Sequence, residues 1–222
     1  MRALLAAPVG TLLALSMALG SLVTVSAHAA VPVGEWNFIA SLNDKPIGEH
    51  RFNMTGSGDE QRMVSEANFN VKFLGISAYR YQHKAVEKWR NNCLTEMVSK
   101  TDDDGKVMRV RTEADGSAGL TVFTDDAAGL PVPGCVMSFA YWNPAFQTQT
   151  RLLNAQTGKP EKVQITRVGD GQIEVRGQTT TATRWRIAGA TVPIDVWYSA
   201  AGDWIGLDSA VGGGRKLSYR LK

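Results

Sequence analysis

The chain has 222 residues, of which 44% are hydrophobic, 8% aromatic and 20% charged, a balance that excludes disorder, a collagen-like rod and a charged coiled coil. Its formal charge of +3 includes Arg2, which falls in an N-terminal leader. The rest of the chain is nearly neutral and has no excess of basic charge for nucleic acid or an anionic bilayer.

Residues 1–29 read as a signal peptide. Met1 and Arg2 supply a basic start, Leu4 to Val25 an apolar run, and Ala27-His28-Ala29 a small-x-small cleavage site. Residues 30–222 are then expected to form a single β domain, periplasmic or secreted, with no second apolar stretch of spanning length. Cys93 and Cys135 are the only cysteines, and two cysteines in an exported chain are most simply one disulfide. Closing a loop of that length is worth roughly 4 kcal/mol.

Period-two alternation then recurs along the chain. Trp36, Phe38, Ala40 and Leu42 fall on one side of the first segment, with Asn37, Ile39 and Ser41 on the other. Phe69, Val71 and Phe73 repeat the pattern, as do Trp185 with Ile187, Ile194 with Val196 and Tyr198, and Leu217 with Tyr219 and Leu221. Turn signals separate the segments at Asn43-Asp44-Lys45-Pro46, Asp103-Asp104-Gly105, Asp115-Gly116, Asp170-Gly171 and Gly202. The spacing suits an antiparallel meander. No stretch carries apolar residues at helical spacing over three turns. One short helix is expected at about Val136 to Tyr141, between Pro133-Gly134 and Asn143-Pro144. The fold class is therefore all-β: a single strongly curved antiparallel sheet, or open barrel, of about ten strands. The short helix plugs or flanks its hollow, and the cysteine bridge ties that helix to a strand end.

The chemistry-bearing residues are sparse. His50 and His83 stand in no metal-binding pattern, and Asp102-Asp103-Asp104-Gly105 lacks the ligand spacing of a calcium loop, so no metal or other cofactor is expected. His83 alternates in phase with Tyr79 and Tyr81 and reads first as a hydrogen-bonded structural residue. Ser117 has no nucleophile-elbow context, and Gly212-Gly213-Gly214-Arg215-Lys216 lacks the phosphate-loop spacing. No catalytic residue is named. Six tryptophans remain: Trp36, Trp89, Trp142, Trp185, Trp197 and Trp204. A curled sheet would use most of them as core, and some could line a concave apolar site. The candidate ligand contacts are Trp36, His83, Tyr141, Trp142 and Trp197, with Tyr141-Trp142-Asn143-Pro144 as the centre.

Trp36-Asn37-Phe38 through Ile47-Gly48-Glu49-His50, Tyr141-Trp142-Asn143 with Leu153-Asn154-Ala155-Gln156-Thr157-Gly158, and Val196-Trp197-Tyr198 together resemble an uncharacterised family of exported bacterial proteins. The chain is more distantly similar to the periplasmic curved-sheet carriers of lipoproteins, a resemblance that implies an apolar cavity. The expected function is non-catalytic binding of an apolar or amphipathic small molecule, a lipid or acyl chain, in the hollow of the sheet. The alternative is an interaction module whose partner is an envelope protein. A glycan-active enzyme stands third and would need two carboxyls facing each other across a cleft.

Overall fold

The structure, a computed structural model, describes residues 34–116, 119–127, 129–189 and 192–222. The expected leader and Ser117 lie outside the described residues. The first half is a run of long hairpins: β1 (Glu35–Leu42), β2 (Lys45–Ser57), β3 (Glu60–Phe73), β4 (Ile76–Arg90), β5 (Cys93–Asp103) and β6 (Lys106–Ala114). Two short strands come next, β7 (Gly119–Thr124) and β8 (Leu130–Pro133). After an irregular segment bearing β9 (Arg151–Leu153) and β10 (Pro160–Lys162), the meander resumes as β11 (Gln164–Val175), β12 (Gln178–Ala188), β13 (Ile194–Tyr198), β14 (Trp204–Val211) and β15 (Arg215–Leu221).

Thirteen strands form one antiparallel sheet in the order β11-β12-β13-β14-β15-β1-β2-β3-β4-β5-β6-β7-β8, and β9 pairs with β10 separately. The first strand thus sits mid-sheet, joining the N-terminal meander to the C-terminal one. At one edge β8 carries Pro131 and Pro133, which cannot donate to a further strand and blunt that edge.

The alternation read from the sequence is the alternation of burial. Trp36, Phe38 and Ala40 are buried on the inner face, and Val196, Tyr198 and Tyr219 join the same core. The all-β curled sheet is as expected, but it has thirteen strands rather than about ten. Three hairpins turn on pairs that carry weak turn signals: Leu74-Gly75, Asn91-Asn92 and Arg176-Gly177, both residues of each pair having positive φ. Such turns match the twist of the flanking strands, which stabilises Leu74 and Arg176 in a conformation disfavoured for their type. Asp170-Gly171, expected as a turn, lies inside β11. The glycine is needed there for close approach, because a Cβ would stand 3.1 Å from the Trp197 ring.

The expected helix at Val136 to Tyr141 is absent. A one-turn 3-10 helix runs instead over Pro144–Thr148, with Asn143 as its N-cap, the carboxamide oxygen accepting the Ala145 N–H at 3.0 Å. Asn143-Pro144 is therefore a start, because proline's preset φ and missing N–H suit the first helical position. Residues 135–163 nevertheless fill the hollow as expected of the helix. Val136, Met137, Ala140, Trp142, Phe146 and Leu152 are all buried in the main core. The Cys93–Cys135 disulfide, with Cα atoms 5.1 Å apart, fastens the start of this plug to the start of β5. A backbone bond from Leu94 N–H to Val136 continues the attachment, and one from Leu153 N–H to Met137 holds the plug to itself.

Candidate functional site

The plug does not fill the hollow completely. A cavity of about 290 Å³ remains between it and the inner face of β2–β4, at the small end of the range for ligand pockets. Its apolar lining is Phe52, Met63 and Ala85 from the sheet, with Phe139, Ala140 and Trp142 from the plug. Trp142 is held edge-on to Trp89 with ring centroids 5.1 Å apart. Tyr141 also lines the cavity, and its backbone carbonyl accepts the Tyr198 hydroxyl at 2.6 Å. That bond ties the plug to β13, so the aromatic wall is fixed from both sides of the sheet.

Polar groups are interleaved with these apolar residues on the same strands, and the lining also includes the carboxyls of Glu87 and Glu161. His50 Nε2 lies 3.2 Å from Ser65 Oγ, whereas its Nδ1 is buried without a hydrogen-bond partner. His83 Nδ1 bonds Thr101 Oγ1 at 2.8 Å, so the histidine is hydrogen-bonded on the face of Tyr81, as its phase implied. Burial lowers the pKa of His50 to about 3, with a smaller push from His83, and burial alone lowers His83 to about 4. Both imidazoles are neutral at physiological pH. Glu87 is buried on the same face. Desolvation raises its pKa to about 7 against the opposing hydrogen bonds of Ser138 and Trp89, the indole N–H lying 3.1 Å from the carboxylate. Tyr81 completes this side, donating to Gln156 Oε1 at 3.2 Å.

Of the five candidate contacts, the structure brings His83, Tyr141 and Trp142 together around this cavity. Trp36 is buried in the main core outside the cavity lining. Trp197 lies on the opposite face of the sheet, in a small cluster with Ile173, Val175, Ala182 and Ile205. It is the out-of-phase residue of Val196-Trp197-Tyr198, and the β11–β12 hairpin folds over it. Its indole donates to Asp208 at 2.8 Å, and the Arg184 guanidinium lies 5.4 Å from the ring. The residues that sequence reasoning missed are His50, Ser65, Glu87 and Ser138. A usable signal existed: His50 alternates in phase with Phe52 and Met54, and Glu87 in phase with Ala85 and Trp89, so both polar groups occupy apolar-phase positions.

The three aspartates before Gly105 are engaged at a hairpin tip: Asp102 accepts the Gly105 N–H, Asp103 the Tyr79 hydroxyl and Asp104 the Arg80 N–H. The triple glycine makes a short turn into β15. A larger hollow, about 940 Å³, lies across β3–β7 and is lined mainly by outward-facing residues including Lys84, Lys100 and Arg109. It carries apolar side chains too, Val86, Val98 and Phe123, but lies open among the charged groups of the outer strands, whereas the inner cavity is closed over by the plug and holds the buried His50 and Glu87, which makes the inner one the better candidate for a ligand site.

Fold and cavity together define an all-β protein whose sheet curls around an inserted plug segment. The fold is similar to that in a crystal structure of a β-barrel-like protein of the domain of unknown function DUF1849 from Brucella abortus. That structure superposes with a TM-score of 0.54 at 12% identity, covering 85% of this chain and 94% of that one, a likeness that extends to the fold alone. The chain itself belongs to the domain-of-unknown-function family DUF6134, whose family model matches residues 38–222. No curated protein matches it.

Proposed function

We propose that the protein is an exported, non-catalytic binding protein that holds a small, uncharged amphipathic molecule, or the end of an acyl chain, in the cavity between plug and sheet. The observation that carries this reading is that the cavity combines apolar side chains, Trp142 among them, with the neutral imidazoles of His50 and His83. An apolar body would be desolvated against the first, and a hydroxyl or amide head would find partners along the second. Neutral imidazoles give an anionic head no counter-ion. The disulfide supports an oxidising compartment such as the periplasm.

Native mass spectrometry of the protein purified from an envelope extract tests the reading directly. A bound small mass is expected, and Ala155→Phe, which fills the cavity from its partly exposed rim, should lower its occupancy about tenfold while leaving the melting temperature nearly unchanged. No bound mass, together with no uptake of a fluorescent fatty acid or fatty alcohol, would reject it. A bound protein at fixed stoichiometry in place of a small mass would select the interaction module.

A glycan-active enzyme is favoured by a separate observation: Glu87 and Glu161 line the same cavity, and Glu87 has the raised pKa of a general acid. Hydrolysis of a cell-wall glycan that is abolished by Glu87→Gln would replace the binding reading with this one.

A further inference from the structure

The longest hairpin of the fold, β3–β4, ends in an apolar tip. Phe73, Leu74 and Ile76 are 71%, 87% and 74% exposed, and Phe73 and Ile76 face each other across the Leu74-Gly75 turn. Single exposed apolar residues are ordinary, but three large ones gathered on one turn form a patch for which water is a poor environment. The patch continues inward. Val71 pairs with Tyr79 and Phe69 with Tyr81 on the same face, the latter two rings stacked at 5.4 Å, and Tyr81 borders the cavity.

The geometry points to a lipid bilayer interface as the occupant of this tip, and we infer that β3–β4 dips its turn into a zwitterionic membrane surface. Two observations favour a bilayer over a protein. Three side chains on a protruding turn fall well short of the roughly 800 Å² per partner of a stable protein interface, whereas a fluid interface needs no matching pocket. The base of the tip also carries both signs of charge. Lys72 and Arg80 lie on the hairpin, and Asp103 and Asp104 reach it from the neighbouring turn, Tyr79 donating to Asp103 at 2.6 Å and the Arg80 N–H to Asp104 at 3.2 Å. This collar complements a headgroup that has a phosphate and a quaternary ammonium, and gives no preference for an anionic leaflet. Membrane contact of this kind stands on exposure and charge at the tip and does not require a ligand in the cavity.

The test is flotation with phosphatidylcholine vesicles, combined with a Leu74→Cys variant carrying an environment-sensitive fluorophore, a single labelling site because both native cysteines are in the disulfide. Vesicles should shift the fluorophore emission to the blue, and raising the salt to about 0.5 M should leave the bound fraction nearly unchanged. The Phe73→Ser/Ile76→Ser variant, altered only at exposed positions, should lose binding by about tenfold or more at an unchanged melting temperature. An unmodified protein that stays with the aqueous fraction overturns the inference. So does a double variant that floats as well as its parent, or binding that requires anionic lipid and disappears in salt. Concentration-dependent dimers abolished by Phe73→Ser/Ile76→Ser would overturn it too, by assigning the tip to a second copy of the chain.

Discussion

The inner face of the sheet is two different surfaces. Around β13–β15 and β1 it is almost wholly aromatic and aliphatic: Phe38 lies 4.3 Å from Trp204 between ring centroids, Tyr219 closes one side, and Val196 and Leu207 are buried beneath. Across β2–β5 the corresponding positions include His50, Ser65, His83, Glu87, Ser99 and Thr101. The first region packs ring on ring, and most of the sheet residues that line the cavity come from the second. Apolar side chains collapse onto one another without regard to direction, whereas buried polar groups must be held at hydrogen-bonding geometry and leave space where partners run out. The unpartnered Nδ1 of His50 is the clearest instance. Burial of this kind opposes stability, which is a reason to associate the second region with function rather than with folding.

The packed half offers the most severe test of this division. Trp204→Ala removes a side chain with almost no exposed surface, in contact with Phe38, Phe52 and Tyr141. It should cost about 3–5 kcal/mol in denaturant unfolding, and any remaining folded protein should retain the binding proposed for the cavity. Loss of the disulfide comes next. Cys93→Ser/Cys135→Ser should cost roughly 4 kcal/mol or somewhat less. Because the bridge anchors the plug rather than the packed half, ligand occupancy should fall at denaturant concentrations where the β15–β1 core is still protected from amide exchange.

The polar half makes its own stability depend on pH. With Glu87 at about 7 against an ordinary 4.5, the folded state retains a proton that the unfolded state releases. Its contribution therefore falls as pH rises from about 4.5 to 7 and is flat above. Glu87→Gln should thus gain on the parent protein with rising pH, by on the order of 2–3 kcal/mol at pH 8, with the difference vanishing near pH 4. His50 and His83 act in the opposite sense. Their lowered values, about 3 and about 4, make the folded state bind fewer protons than the unfolded one, so stability drops as pH falls from 6.5 toward them. Equilibrium unfolding of the parent and the Glu87→Gln protein at pH 4, 6 and 8 separates the two signs.

The same contrast governs what could be read from the sequence. Strands of the packed half announce themselves, because Phe38 and Ala40 lie between Asn37 and Ser41, with only Ile39 out of pattern, and Tyr219 and Leu221 alternate with Ser218 and Arg220. The count of two cysteines, read with the expected leader, was enough for the disulfide. The polar half was less legible. Glu87 and His50 break the apolar phase at the places where the cavity forms, a signal of burial that does not show which groups partner them across the strands. Strand number was hidden for a related reason: Leu74 and Arg176 take positive φ because long flanking ladders enforce it, a non-local cause. The plug shows the limit most plainly. Met137, Ala140 and Trp142 are too apolar for a connector, which was visible, but they are buried in irregular backbone held by β5, β9 and the disulfide, which no helical or strand period encodes.

The mildest substitution bears most directly on why the polar half persists. His50 stacks on Phe52 at 4.0 Å between centroids and borders Tyr219, an environment that suits a phenyl ring. His50→Phe/Ser65→Ala removes the unpartnered Nδ1 together with the hydroxyl that bonds Nε2, so neither partner is left unpaired. Stability at pH 7 should change by less than about 1 kcal/mol, with the sign favouring the variant. The acid-side loss of stability should shrink as well, since one of the two neutral buried histidines is gone. If the pair is present to receive a ligand's polar head, occupancy of the cavity should fall even though the protein is no less stable. A variant that is less stable by several kcal/mol would instead make the histidine part of the packing, and the division between the two halves of the inner face would then be one of composition without a difference in role.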